Sequence, residues 1–181
     1  SVVRQVWDRA EGETTSMQAL RATLAARGTT FAGAYTLFGT VNLDPATFYA
    51  EGSTFAMSPP VTRGMRLSKD SPQRQATATL DHLSTDYYRF RADPDLSGDL
   101  ALKVRVDMPD RDTGAAATLV VHRAAGLDVV KPIELEKDGV GTGRVNFTPG
   151  EVKAVHLVLT NAGGADDQQT TVKGTAVEVT R

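Results

Sequence analysis

The chain has 181 residues, enough for one large domain or two small ones, and a formal net charge of −2. That charge, together with the lack of a local cluster of Lys and Arg along the sequence, argues against nucleic-acid binding. The absence of cysteine excludes disulfides, thiolate metal sites and a cysteine nucleophile. No apolar run approaches the ~18 residues of a membrane span, so we expect a water-soluble chain without one.

The start of the chain has the period of amphipathic helices. Apolar residues within the first ten positions share one helical face, and Ser1 is placed to cap that helix. Thr15 and Gln18 have the spacing of a capping box, which predicts the start of a second helix. Gly28 predicts the end of that helix, because glycine adopts the left-handed conformation past a last turn without steric cost.

Thr29 or Thr30 is predicted to cap a third helix, which carries an aromatic stripe of Phe31, Tyr35 and Phe38. Seven of the eleven aromatic residues lie in the first 55 positions. One possibility is that these rings fill a small helical core of their own. The other is that they pack on another surface, because three short helices bury surface inefficiently. The other surface would be the β-domain that follows or a missing upstream domain.

From residue 72 onward the apolar period changes from 3.6 to 2, which is typical of strands with one buried face. Gly, Pro, Asp and Asn separate the runs and supply turns. The predicted strands cover residues 76–81, 87–92, 99–108, 116–123, 129–135, 143–147, 154–160 and 172–179. We predict a mainly β fold, in which a small three-helix segment (1–55) and a linker or extended arm (56–71) precede an antiparallel β-sandwich (72–181) of jelly-roll or Ig-like type with about eight strands.

The stretch from Thr77 to Ala92 is interpreted as the opening hairpin of this sandwich. Strand alternation places Tyr88 and Phe90 on one face and Tyr87 on the other. We expect Tyr88 and Phe90 in the core, and Tyr87 facing outward as a candidate ligand-binding ring that could stack on a sugar.

Catalytic motifs are missing from the sequence. It contains no HExxH helix, no GxSxG and no SxxK. His122 and His156 fall inside predicted strands, where we interpret them as sheet residues. His82 lies beside Asp81, but neighbours on a strand end point apart, which disfavours a catalytic pair.

The acidic loops are the one candidate ion site. Asp93, Asp95 and Asp99 offer carboxylate oxygens at short spacing, as calcium requires. A second acidic loop contains Asp107, Asp110 and Asp112. Aspartate is also the commonest turn residue and neither loop fits the EF-hand pattern, so solvated turns are the favoured alternative for both loops.

Four stretches of the sequence resemble a known family: SVVRQVWDRAEG, AARGTTFAGAYTLFG, DPATFYAEG and LDHLSTDYYRF. They look like the C-terminal portion of predicted secreted bacterial zinc metalloproteases, and the later strands look like a pre-peptidase C-terminal sandwich. The resemblance implies that residues 1–55 correspond to the end of a peptidase catalytic lobe. It places the zinc-binding HExxH helix upstream, so no catalytic residue carries over to this chain.

Three functional hypotheses follow. The first is a noncatalytic C-terminal region of a secreted or cell-surface metalloprotease-like protein, a fragment without its upstream catalytic domain. Its sandwich would serve stability, targeting, or binding of a protein substrate or surface polymer. The second is a self-contained enzyme with a site near His82, Asp81 and the acidic loops. The third is a structural or adhesion module.

Overall fold

The structure is a computed structural model that describes residues 1–12, 15–51, 54 and 61–179, with Thr47 described by its backbone alone. The chain is a mainly β sandwich preceded by helices, as predicted. The described helices are α1 (Val2–Ala10), α2 (Ser16–Ala25), α3 (Phe31–Val41) and the single turn α4 (Pro45–Phe48). None of these described helices has the length and apolar character needed to cross a membrane.

The predicted caps start the first three helices. The Ser1 hydroxyl accepts from the Arg4 amide. Thr15 and Gln18 form the reciprocal capping box, in which each side chain accepts a hydrogen bond from the other residue's backbone amide. These local hydrogen bonds satisfy amides that have no partner within the helix, so the helix starts follow from local sequence.

Nine strands in the described residues form two sheets that pack face to face. The strands are β1 (Arg63–Leu67), β2 (Gln73–Leu80), β3 (Ser84–Ala92), β4 (Leu100–Asp107), β5 (Ala115–Arg123), β6 (Val129–Ile133), β7 (Val140–Asn146), β8 (Val152–Asn161) and β9 (Gln168–Glu178). One sheet has the order β1-β3-β8-β5-β6 and the other has the order β2-β9-β4-β7. All pairs are antiparallel except β1 with β3, which is parallel.

The predicted opening hairpin is wrong. Strand β2 pairs with β9 in one sheet, whereas β3 pairs with β1 and β8 in the other. The connection therefore crosses between the sheets. Leu83 adopts a positive φ of 49° in this connection, and the Asn161 side-chain amide donates to the Asp81 carbonyl at 3.0 Å. Pairing with distant strands, which local pattern does not encode, decides the topology here.

The predicted linker at 56–71 is also partly wrong. Residues 63–67 form β1, an edge strand whose Met65 and Leu67 point into the core. Residues 56–60 of that segment lie outside the described residues. The run is short and its alternation is limited to two apolar residues, so its local pattern does not predict a strand.

The core lies between the two sheets and is largely aliphatic. Tyr88 and Phe90 are buried in it, as predicted, at 2% and 0% exposure. Phe90 packs so closely on β9 that a Cβ added at Gly174 would lie 2.2 Å from the ring. Glycine is therefore required at this position by the close approach of the two sheets.

The helical segment packs against the outer face of the five-stranded sheet through α3. The residues of α3 that are buried are small: Thr36, Gly39 and Thr40. A Cβ at Gly39 would lie 3.0 Å from the Thr85 side chain. The aromatic stripe thus flanks the contact with the sandwich and does not fill it.

Candidate functional site

Tyr87 faces away from the sandwich core, as predicted, but its ring is not free. It is 6% exposed and packs with Leu43, Val120 and Val158 beneath the helical segment. Its hydroxyl donates to the Gly39 carbonyl at 2.8 Å. The expected exposed ring for sugar stacking is therefore wrong, because this chain's own helical segment covers that part of the sheet.

His82 contacts a carboxylate from a distant loop and not its neighbour Asp81. Its Nδ1 lies 2.5 Å from Asp166 Oδ1, and its backbone amide donates to the same oxygen at 2.9 Å. The hydrogen bond to Asp166 raises the pKa of His82 above its ordinary value. The two hydrogen bonds from His82, the backbone one first, lower the pKa of Asp166.

This pair lacks the surroundings of a catalytic site. The His82 and Asp166 side chains are 57% and 58% exposed, so no dry cavity strengthens their interaction. The second carboxylate neighbour, Asp81, is also exposed. The pair instead fastens the sheet-crossing connection to the loop that precedes β9.

Two histidines that we interpreted as independent sheet residues lie against each other. His122 on β5 and His156 on β8 share the outer face of the five-stranded sheet, with ring centroids 4.7 Å apart and nearly perpendicular. His122 Nδ1 lies 2.6 Å from an Asp128 carboxylate oxygen. His122 Nε2 and His156 Nδ1 are buried and have no described hydrogen-bond partner.

Burial lowers the pKa of His156 to about 4, with further contributions from His122, Arg89 and Arg91. Two arginines beside the pair also disfavour a bound cation. The sequence could have suggested the shared face, since both histidines have the outward parity of their strands. It could not supply the register that makes them neighbours.

The acidic loops do not bring their carboxylates together as metal ligands. Asp95 accepts from the Lys69 amide at 3.1 Å, and Asp93 lies 3.9 Å from the Arg66 guanidinium. Asp110 accepts from the Asp112 amide at 2.9 Å. Within the described ranges there is no group of three or more potential ligands placed to hold a metal ion. Calcium at Asp93, Asp95 and Asp99 stays a prediction.

A pocket of about 330 Å³ lies between α3 and strands β5 and β6. Its lining includes Gly33 and Leu37 on the helix and Ala116 and Thr118 on β5. It contains no histidine, and Glu134 is the one carboxylate among the described residues that line it. It therefore lacks the paired acid and base groups that a hydrolytic site uses.

Large apolar side chains are exposed on the helical segment. We define the helical surface as Val3 and Trp7 on α1, Leu37 and Phe38 on α3, and Phe48 on α4. These side chains are between 52% and 66% exposed. Helix α1 has no buried residue, although its apolar residues share one face. Large exposed aromatic and aliphatic side chains are the residue types around which protein interfaces form.

No protein-family model and no curated protein matches this sequence. The pre-peptidase C-terminal domain of a collagenase from Bacillus anthracis is a structural neighbour. It is 12% identical, with a TM-score of 0.41 over 67% of this chain and 100% of that domain. A PliG mutant from Escherichia coli, a periplasmic inhibitor of g-type lysozyme, is 15% identical, with a TM-score of 0.39 over 64% of this chain and 96% of the inhibitor. At such values, neither similarity carries an argument about function.

Proposed function

We infer that this chain is a noncatalytic accessory module of an exported, metalloprotease-like protein, and that its helical surface docks on the protease domain of that protein. The observation that carries this proposal is the exposure of Trp7, Phe38 and their apolar neighbours on the helical segment. The parentage is supported by the resemblance of residues 1–92 to the C-terminal portion of secreted bacterial metalloproteases.

The packing of α3 on the sheet fixes the position of the part of this surface that lies on α3. Gly39 and its small neighbours lie in the contact between α3 and the sheet. The Phe38 side chain beside them is 54% exposed to solvent. Burying an aromatic side chain against a partner stabilises a complex by about 2 kcal/mol. Several such side chains on a fixed surface provide the anchors around which protein interfaces form.

The sole tryptophan of the chain makes docking measurable. Trp7 is 66% exposed, so its fluorescence in the isolated chain should be that of an indole in water. We expect a blue shift when the chain is titrated with the separately produced domain encoded immediately upstream in the same gene. If no shift and no heat of binding appear, or if that domain contains no zinc-peptidase motif, the proposal is wrong.

Matched variants locate the interface. Phe38→Ser should weaken binding about tenfold, because it removes an exposed aromatic anchor. Leu127→Ser changes an even more exposed apolar residue, 87% exposed on the β5–β6 loop, and should leave this binding unchanged. Equal loss in both variants would contradict a docking role for the helical surface.

The noncatalytic assignment has its own test. The purified chain should not hydrolyse casein with or without added zinc. Chelator-sensitive hydrolysis that persists after removal of trace proteases would overturn the assignment. It would support the alternative hypothesis of a catalytic site near His82. This outcome is independent of the docking experiment.

A further inference from the structure

Three cationic side chains line one pocket at an end of the sandwich. Arg123 ends β5, Lys131 lies on β6 and Arg144 lies on β7, so the pocket joins the edges of the two sheets. Its volume is about 260 Å³. The remaining lining residues are four valines and an asparagine: Val121, Val129, Val145, Val152 and Asn146. None of the described lining residues is acidic.

The three cations that line this pocket form no ion pair with a described residue. The Lys131 ammonium donates to the Arg144 carbonyl at 2.9 Å, which fixes its position without removing its charge. Among the acidic residues at these strand ends, Asp128 contacts His122 at 2.6 Å, and Glu151 accepts from the Asn146 side-chain amide at 2.7 Å.

An apolar loop tip stands beside the pocket. Leu127, between β5 and β6, is 87% exposed, the highest value among the large hydrophobic residues described. Val129, which lines the pocket, is 45% exposed. The loop is anchored, because the Ala124 amide donates to the Glu151 carbonyl at 2.8 Å and the Arg123 amide to Asp128 at 3.3 Å. Leu127 is therefore presented on a hydrogen-bonded loop.

We propose that this end of the sandwich binds the surface of a bilayer that contains anionic phospholipid. Leu127 and Val129 enter the boundary between headgroups and acyl chains, where apolar side chains are removed from water. Arg123, Lys131 and Arg144 contact lipid phosphates, each contributing to the attraction within a Debye length of the surface. A nucleic acid would satisfy the cations but would leave the apolar tip in water.

The test is flotation of the full chain with vesicles at low salt. We expect binding to vesicles of phosphatidylcholine and phosphatidylglycerol in equal parts, and none to phosphatidylcholine alone. Binding should fall as the salt concentration rises, because the cations are exposed. Absence of binding to the anionic vesicles at low salt would overturn the proposal.

Two variants separate the charged and apolar contributions. Arg123→Gln combined with Arg144→Gln should reduce binding more than tenfold, since each charge near an anionic surface is worth about fivefold. Leu127→Ser should reduce it about tenfold through loss of the inserted side chain. The control, Arg63→Gln with Arg66→Gln, removes two exposed charges from β1, at the edge of the five-stranded sheet opposite β6, and should bind as the unmodified chain does. Equal binding by all variants would overturn the proposal.

Competition by a soluble phosphate distinguishes binding to a lipid surface from binding of a free phosphate in the pocket. Glycerol phosphate at millimolar concentration should not displace the chain from anionic vesicles, because it has no acyl chain that Leu127 could contact. Displacement at that concentration, with Leu127→Ser binding normally, would mean that the pocket takes a soluble phosphate and would refute the membrane proposal. Phe38→Ser should have no effect here, so failure of this inference is distinguishable from failure of the docking proposal.

Discussion

The Tyr87 hydroxyl donates a hydrogen bond to the Gly39 carbonyl oxygen across 2.8 Å, which ties strand β3 to helix α3. Burial raises the pKa of Tyr87 to about 12, so the hydroxyl keeps its proton throughout the ordinary pH range. The helical segment and the sandwich are thus connected by a buried polar contact as well as by apolar packing.

Tyr87→Phe should lower the free energy of unfolding by about 1 kcal/mol, because it removes this donor and leaves a helix carbonyl unpaired. Urea unfolding followed by circular dichroism measures the change. Tyr88→Phe is the matched control: the Tyr88 hydroxyl lies 3.5 Å from its acceptor, the Thr77 carbonyl, at the limit of a hydrogen bond. The control should be nearly neutral, and a larger loss in it than in Tyr87→Phe would contradict this account.

Gly174→Ala should destabilise the sandwich by about 2 kcal/mol. The added methyl group would lie 2.2 Å from the Phe90 ring, and a packed core accommodates such an overlap only by shifting strands or rotamers. Thermal unfolding measures the effect. Gly164→Ala adds the same methyl group where no atom lies within 4 Å, so an equal loss there would exclude the Phe90 contact as the cause.

The stability of the fold should depend on the protonation of His156. Its folded-state pKa is about 4, against an ordinary value of 6.5, mainly because of burial and then of His122, Arg89 and Arg91. Between these values the unfolded chain binds more protons than the folded chain, so stability falls as the pH is lowered from 6.5 toward 4. The loss should be on the order of 2 kcal/mol, discounted for the partial exposure of the ring.

Urea unfolding at a series of pH values measures this loss, and His156→Gln isolates its source. The variant cannot take up a proton at this position, so its stability should change less over the same interval. Asp128, which also contacts His122, raises the pKa of His156 and so works against the shift. An unmodified protein and a variant with identical pH profiles would show that other groups are responsible.

The stability contributed by the contact between His82 and Asp166 should depend on pH in the opposite direction. Asp166 raises the pKa of His82 above 6.5, so the stability that this contact contributes is present below that value. It is lost as the pH rises through the folded-state pKa. An NMR titration of the His82 ring should give a midpoint above 6.5, and Asp166→Asn should lower that midpoint toward the ordinary value. A midpoint that does not move would mean that the contact is not formed in solution.

Local pattern was sufficient for much of the fold. Alternation located eight of the nine described strands and placed Tyr88 and Phe90 in the core, because side-chain parity along a strand is a local property. The local pattern did not predict the strand order where pairing with a distant strand decides it. Whether β3 follows β2 in one sheet or crosses to the other depends on pairing with β8 and β9, which lie about seventy and ninety residues later.

For the candidate sites too, the sequence shows which residue types are present but not which of them the fold brings together. The sequence showed no cluster of cations, yet folding gathers Arg123, Lys131 and Arg144 from three successive strands into one pocket. His122 and His156 are likewise 34 positions apart in sequence and become neighbours through the register of β5 with β8. Charge and side-chain type are visible in a sequence, whereas their convergence depends on strand order and register.

Strand β1 enters the sandwich at an edge and runs parallel to β3. A pull on the chain ahead of Arg63, along the strand direction, would be distributed over the evenly spaced hydrogen bonds of a parallel ladder. Those bonds would then slide together and would not open one at a time. A load applied to the chain ahead of Arg63 would therefore reach the sandwich through the backbone of β1, and the hydrogen bond between α3 and β3 would provide a second route.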